Sequence, residues 1–179
     1  MIKTNCIESA FSELQFNGKN PDYFSKTRDV FSARLELYAA ETQKFLESAI
    51  IGEIGNNSFD HNVNAGASYI RGVYFNSRFC ESYVLLADFG QGLFKTLQTV
   101  LPGLRSDVEA IQIAFREKIS GRMPENRGNG LKFVLKNIQE KSWDLYYHSG
   151  NAICYADASD VQFNYSDISY QGCMALISF

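Results

Sequence analysis

Three short stretches of this chain combine residue types that can handle a phosphorylated ligand. In Gly52-Glu53-Ile54-Gly55-Asn56-Asn57-Ser58-Phe59-Asp60-His61, Glu53, Asn57 and His61 recur every four residues, so on a helix they stack along one face. A carboxylate there can polarise a water or hydroxyl. An amide oxygen can complete the shell of Mg2+, which keeps several waters and accepts one or two protein ligands. Alone, an E-x-x-x-N face also reads as ordinary solvated helix surface, and the other two stretches decide between the readings.

In Leu85-Leu86-Ala87-Asp88-Phe89-Gly90-Gln91-Gly92-Leu93, an acidic residue ends an apolar strand and two glycines follow. A carboxylate at a strand end can accept the exocyclic amine proton of adenine, while glycine leaves room for a base and permits positive φ. Asp88-Phe89-Gly90 also spells the D-F-G of protein kinases, but the chain has neither the H-R-D loop nor the V-A-I-K strand of that fold. Gly90-x-Gly92 does not extend to a dinucleotide fingerprint, because Lys95 stands at the third glycine position.

The third stretch, Ser120-Gly121-Arg122-Met123-Pro124-Glu125-Asn126-Arg127-Gly128-Asn129-Gly130-Leu131, is a glycine-rich polar loop running into a helix. Free amides and the positive dipole end at a helix start attract anions, and Gly128 and Gly130 let the backbone approach phosphate oxygens. Arg122 and Arg127 add charge. No G-x-x-x-x-G-K-[ST] occurs, which excludes a Walker-type cradle. By itself this stretch reads equally well as an interhelical loop.

The elements that must position these residues follow from periodicity. Leu35, Tyr38, Phe45, Leu46, Ala49, Ile50 and Ile54 recur at helical spacing between Phe31 and Asn62, predicting one or two helices after a loop at Asn17 to Pro21. Ser68 to Phe75 and Ser82 to Ala87 predict an antiparallel pair turning at Asn76-Ser77-Arg78, and Phe89 to Gly92 breaks the strand. Asp107 is the expected N-cap of a helix through Lys118, and a second helix is expected from Gly130 to Lys141 with Leu131, Val134, Leu135 and Ile138 as its buried stripe. Strands are expected at Trp143 to His148, Ala152 to Ala156 and Cys173 to Phe179. Tyr155 to Tyr170 is read as a long surface loop, with a partner-facing insertion as the alternative. This order predicts an α+β sandwich with helices on one face of a mostly antiparallel sheet.

Composition narrows the function classes. A chain of 179 residues that is 45% hydrophobic is expected to bury a core as one domain. Its 17 Lys plus Arg against 20 Asp plus Glu give a net charge of -3, so no global basic excess draws in nucleic acid or an anionic membrane. Neither a signal peptide nor a stretch of about 20 apolar residues is present, and a cytoplasmic location is expected. Cys6, Cys80, Cys154 and Cys173 are far apart with no C-x-x-C pair. They read as reduced thiols acting as small buried hydrophobes.

A helix with E-x-x-x-N, a strand ending in D-x-G-x-G, and a loop closing in G-x-G-L at a helix start resemble the N, G1 and G2 boxes of the GHKL ATPases. That superfamily comprises gyrases, heat-shock chaperones, histidine kinases and mismatch-repair ATPases, and the resemblance covers the chain from about Phe45 to its end. It implies a two-layer α+β sandwich of Bergerat type over residues 31–179, preceded by a segment, residues 1–30, of unclear role. It also implies binding of ATP with Mg2+. Glu53 would be the general base, Asn57 the Mg2+ ligand and Asp88 the adenine reader. Gly90 and Gly92 would line the base pocket. Gly128, Asn129 and Gly130 would hold phosphates below a mobile lid, with Arg122, Arg127 and Leu131 in the same nucleotide-binding stretch.

His61 falls where the small anti-sigma-factor serine kinases of this superfamily often carry a histidine, and it also reads as a packed helix-end residue. The family usually shows Gly-Thr before its last strand, whereas Gly172 is followed here by Cys173, a weaker hydrogen-bonding group than the threonine hydroxyl. A complete histidine kinase would need a phosphoacceptor hairpin, and no histidine precedes Phe45. The topoisomerase, chaperone and repair ATPases use a second domain that sends a lysine to the γ-phosphate. The expectation is therefore a stand-alone regulator acting on a separate protein, such as an anti-anti-sigma-like partner, with homodimerisation allowed but specified by no residue. It would hydrolyse ATP, transfer the γ-phosphate to a serine or threonine, or bind the partner according to nucleotide state without catalysis.

Overall fold

The computed structural model describes residues 2–62, 69–80, 82–117 and 129–179. Within them α1 (Thr4–Asn17), β1 (Phe24–Ser25), α2 (Arg28–Thr42) and α3 (Phe45–His61) come first. Then follow β2 (Ile70–Phe79), β3 (Tyr83–Phe89), α4 (Gly92–Gln98), α5 (Asp107–Arg116), α6 (Gly130–Lys141), β4 (Asp144–Ala156) and β5 (Val161–Ser178). The strands form one sheet in the order β1-β2-β3-β5-β4, and every neighbouring pair is antiparallel. This is the expected α+β class.

The central strand β3 is buried along nearly its whole length, which requires cover on both faces. Val84 and Leu86 point to the side on which α2 to α6 pack, joined by Phe31, Ile50, Ile51, Ile54, Ile111, Val134 and Ile138. Leu85 and Ala87 point the other way, to a second core with Tyr74, Tyr146, Met174 and Leu176. That core is closed by α1, whose Cys6, Ala10 and Leu14 recur every four residues on one stripe. Residues 2–30, which no motif places, thus supply the helix on the second face and the edge strand β1.

Several boundaries differ from expectation for local reasons. The β2–β3 reversal lies beyond Phe79, with Cys80 at φ 45, not at Asn76 to Arg78. Asn76 instead pairs with Leu85, and its Oδ1 accepts from the Arg78 amide at 3.0 Å, absorbing the turn-forming side chain into an irregular strand. The N-cap of α5 is Ser106, whose Oγ accepts from the Glu109 amide at 3.1 Å. Asp107 sits one residue inside, its carboxylate accepting from the Asn151 amide at 3.1 Å, and α5 ends at Arg116.

The two short strands expected after Trp143 are halves of β4, which turns back at Gly150, where φ is +60. The rings of Tyr146 and Tyr155 stand 5.0 Å apart, whereas nine residues of straight strand would separate them by about 30 Å. The stretch Tyr155 to Tyr170 is strand for most of its length, not a loop. Val161 to Tyr165 pair with Ala156 to Ala152, and only Asp157 to Asp160 turn the chain. The period-two alternation of Val161, Phe163 and Tyr165 signals that strand, and Phe163 packs against Phe115 with ring centroids 6.3 Å apart.

The four cysteines are free thiols. Cys6 and Cys154 are buried as expected, Cys173 is half-buried, and Cys80 is exposed at the β2–β3 turn. Among the described residues no helix is long and apolar enough to cross a membrane.

Candidate functional site

The helix α3 carries the polar face that the sequence singles out. Its apolar stripe, Ile50, Ile51 and Ile54, is locked into the helix-side core, which turns Glu53 and Asn57 outward along one edge. Glu53 is exposed and Asn57 half-buried, and neither side chain is engaged by a hydrogen bond or ion pair to another described residue. The Glu53 carboxylate stands over the first residue of α6. A Cβ built on Gly130 would lie 2.5 Å from Glu53 Oε2, so any side chain there would displace the carboxylate from this position. Asn129, exposed, occupies the N-cap position of α6 without a capping side-chain bond. The first amides of the helix are thus not satisfied by that side chain. Leu131 is buried in the helix-side core and anchors this end.

At the C-terminal end of α3, the chain leaves the helix at Asn62, which is 4% exposed. Its Nδ2 donates to Asp88 Oδ1 at 3.4 Å, and its Oδ1 accepts from the Gln91 amide at 3.0 Å. Asp88 Oδ1 also accepts from the Gly90 amide at 2.8 Å. The carboxylate is buried near the end of β3, and burial pushes its pKa up to about 6, against hydrogen bonds from Gly90, Asn62 and Cys173 that favour the charged form. His61 is half-buried, and its carbonyl accepts from Gln91 Nε2 at 3.0 Å.

The glycines of this loop make room for protein atoms. A Cβ on Gly90 would overlap the Asn62 carboxamide, and one on Gly92 would stand 3.0 Å from Ser149 Oγ. Gly172, at φ +98, passes so close to Asp88 that a Cβ would lie 2.7 Å from its carbonyl carbon. Ser149 ties these pieces together. Its Oγ donates to the Gly172 carbonyl at 2.9 Å and accepts from the Leu93 amide at 3.0 Å, while the Cys173 thiol donates to it at 3.6 Å. Cys173 has its pKa pushed up to about 12 by burial and by the Asp88 charge. Tyr170 Oη donates to the Asp88 carbonyl at 3.1 Å.

The expected residues therefore form two groups joined by α3. Glu53, Asn129 and Gly130 lie at one end, with Asn57 one turn along the helix. Asp88, Gly90 and Gly92 lie at the other. From Glu53 to Asn62 the helix rises about 13 Å, comparable to the separation of base and terminal phosphate in a nucleoside triphosphate. Arg122, Arg127, Gly128 and the expected lid lie outside the described residues. Asn62, Gln91 and Ser149 carry no motif, and sequence reasoning passes over them. The only hint is the Asn directly after a helix that ends in a histidine.

Among the described residues no group of three or more His, Cys, Asp or Glu could hold a metal ion. A cation at this site would depend on the Asn57 oxygen and on oxygens brought by a ligand. An open cleft of about 200 Å³ lies elsewhere, between the start of α1 and the β4–β5 hairpin. Ile2, Leu145, Tyr155, Asp144, Asp157 and Asp160 are among the residues that line it, and it shares none with the site above.

No family model matches the chain, and no curated protein matches it. Among solved structures, the 43K ATPase domain of Thermus thermophilus gyrase B, in complex with an aminocoumarin, aligns with a TM-score of 0.41 and 12% identity. The alignment covers 80% of this chain and 38% of that one, so the chain spans well under half the length of that domain.

Proposed function

We propose that this chain binds ATP with Mg2+ along α3 and passes the γ-phosphate to water or to a hydroxyl on a partner protein. The observation that carries this reading is the reach of one helix: Glu53 meets the start of α6, and Asn62, the residue that ends α3, meets Asp88. A ligand spanning those two points would meet a buried carboxylate first, then an amide uncommitted to any described residue, then a carboxylate beside the first amides of α6.

Each residue has a chemical task in that reading. Asp88 accepts a hydrogen bond from the exocyclic amine of adenine. The first amides of α6 and the positive end of its dipole draw the phosphates. Asn57 fits Mg2+ because its carboxamide is half-buried and engaged with no described side chain, and one amide oxygen suffices beside phosphate oxygens and water. When bound, Mg2+ neutralises charge on the phosphate oxygens. Glu53 takes the proton of the attacking water or hydroxyl. The bond from the γ-phosphorus to its bridging oxygen breaks, a new P–O bond forms to the attacking oxygen, and ADP leaves.

A partner protein is supported by the β4–β5 hairpin. From Ser142 to the end the chain carries Asp144, Asp157, Asp160 and Asp167 but no lysine or arginine. It exposes Tyr165 and Ile168 at 67% and 56%, and the Ile168 carbonyl is pinned by His148 Nε2 at 3.0 Å. A rigid acidic arm with two apolar anchors suits a basic protein surface.

Thermal melting tests the reading. At ATP and Mg2+ a hundredfold above Kd, ligand linkage raises the melting temperature by about 5 °C or more, and Asp88→Asn abolishes the rise. An unchanged melting curve at millimolar ATP removes the proposal. Labelled ATP then separates its branches: free phosphate means hydrolysis, a labelled partner means a kinase, and tight binding with neither means a nucleotide-dependent adaptor. Glu53→Ala stops either reaction while leaving ATP bound.

A further inference from the structure

We propose that Asn62 is a positioning residue for Asp88, holding one carboxylate oxygen so that the other faces an amine donor on the ligand; the inference rests on the nucleotide reading above. Three observations carry it. Asn62 is 4% exposed although it lies just past the end of a helix, where side chains usually meet solvent. Its carboxamide uses both ends at once, Nδ2 on Asp88 Oδ1 and Oδ1 on the Gln91 amide. The space for that carboxamide exists only because residue 90 has no side chain.

The consequence is geometric. Asp88 Oδ1 takes both the Gly90 amide and Asn62 Nδ2, so Asn62 helps to fix the rotation of the carboxylate, and Cys173 is the remaining protein donor to it. The same asparagine fixes the backbone at Gln91, the residue immediately before α4, so the carboxylate and the loop that follows it are tied to one side chain. Alanine removes both bonds. Aspartate keeps the acceptor for the Gln91 amide and sets a second carboxylate against Asp88.

That difference separates positioning from simple support. An asparagine donor favours the ionised form of Asp88, the form that accepts from an amine. The other titratable groups facing Asp88 are the Cys173 thiol on β5 and the phenols of Tyr147 on β4 and Tyr170 on β5. Burial is the largest cause raising each of them, so all three stay neutral around pH 7. Among the described residues no cation shares the work with Asn62.

The test is the carboxyl carbon resonance of Asp88 in the nucleotide-free full chain, identified by its loss in Asp88→Asn and followed against pH. The wild type titrates near pH 6. Asn62→Ala moves the midpoint up by about one pH unit, and Asn62→Asp moves it further, while hydrogen exchange at the Gln91 amide stays slow in Asn62→Asp alone. In parallel, both variants weaken Mg2+-ATP about tenfold or more at pH 7. An Asp88 midpoint that is the same in wild type, Asn62→Ala and Asn62→Asp overturns the proposal. If Asn62→Ala does not fold, Asn62→Asp alone decides it. If the wild type shows no ATP-linked stabilisation, the nucleotide reading fails, while the titration still decides whether Asn62 holds Asp88.

Discussion

The Glu53 carboxylate occupies the space that a side chain on Gly130 would need, its Oε2 only 2.5 Å from the position of a Cβ there. This contact makes the start of α6 and the middle of α3 a single unit, and it separates helix stability from function at one position. In a helix, alanine is favoured over glycine by up to about 1 kcal/mol. Gly130→Ala is therefore expected to leave the melting temperature nearly unchanged, because an exposed carboxylate can swing into solvent, yet to abolish the ATP-linked rise. In a Glu53→Ala background the added methyl makes only an ordinary contact with the Cβ of residue 53, 3.9 Å away, and Gly130→Ala stabilises. Melting curves of the four proteins with and without ATP check this. An ATP response that survives Gly130→Ala separates Glu53 from the phosphate end.

Asp88 makes the unliganded fold less stable. Burial raises its pKa from the ordinary 3.8 to about 6, so between those values the folded protein holds a proton that the unfolded chain has released. Stability therefore falls as pH rises through that window and stays lower above it. The full gap corresponds to about 3 kcal/mol. Asp88→Asn, which carries no charge to bury, is expected to unfold at higher denaturant concentration than wild type at pH 8 and at nearly the same concentration at pH 4. Chemical denaturation at the two pH values measures the difference, and a wild type equally or more stable at pH 8 would contradict the burial argument.

Ser149 is the joint between β4, β5 and the first turn of α4. Its buried hydroxyl serves the Gly172 carbonyl and the Leu93 amide at once. Ser149→Ala leaves the Leu93 amide without that acceptor, at a cost of about 1–3 kcal/mol. Because Gly172 touches Asp88, ATP affinity should fall with stability. Ser149→Thr keeps the hydroxyl but presses a methyl toward Gly92, so it should not fully restore either property. Denaturant midpoints and ATP titrations of the two variants distinguish a lost bond from a lost shape.

How far the site was legible depended on whether a residue belongs to a repeating pattern. Glu53 and Asn57 stand beside an apolar stripe of period 3.6, and Asp88 ends an apolar run, so their elements were readable. Asn62 and Ser149 act through contacts to residues 26 to 29 and 23 to 56 positions away, and no local pattern encodes such pairs. Gly90 and Gly92 were readable as glycines that must stay small, but they give way to Asn62 and Ser149, protein atoms that only the fold brings there. The break of β4 was legible at Ser149-Gly150-Asn151, but its pairing on both sides with one long partner, β5, was not, because that partner lies 5 to 34 positions further along the chain. The second sheet face was missed for another reason. Tyr83-Val84-Leu85-Leu86-Ala87 is an unbroken apolar run, which signals cover on both sides, and the covering helix α1 lies in a stretch that carries no motif.

That helix gives the last prediction. Leu14 of α1 is 5% exposed and packs in the core that includes Tyr74, Leu85 and Leu176, while Phe16, two residues on, is 80% exposed. Size alone would make the phenylalanine the costlier loss. Burial reverses the order: Leu14→Ala removes buried methyl groups and leaves a cavity, costing about 2–4 kcal/mol, whereas Phe16→Ala should change stability by less than about 0.5 kcal/mol. The hydroxyl of Tyr74 donates to Glu13 Oε1 at 2.6 Å, so Tyr74→Phe should loosen the same helix by about 1 kcal/mol. Urea denaturation of the three variants ranks them. If Leu14→Ala and Phe16→Ala unfold at the same midpoint as wild type, α1 does not hold the second face of the sheet in solution.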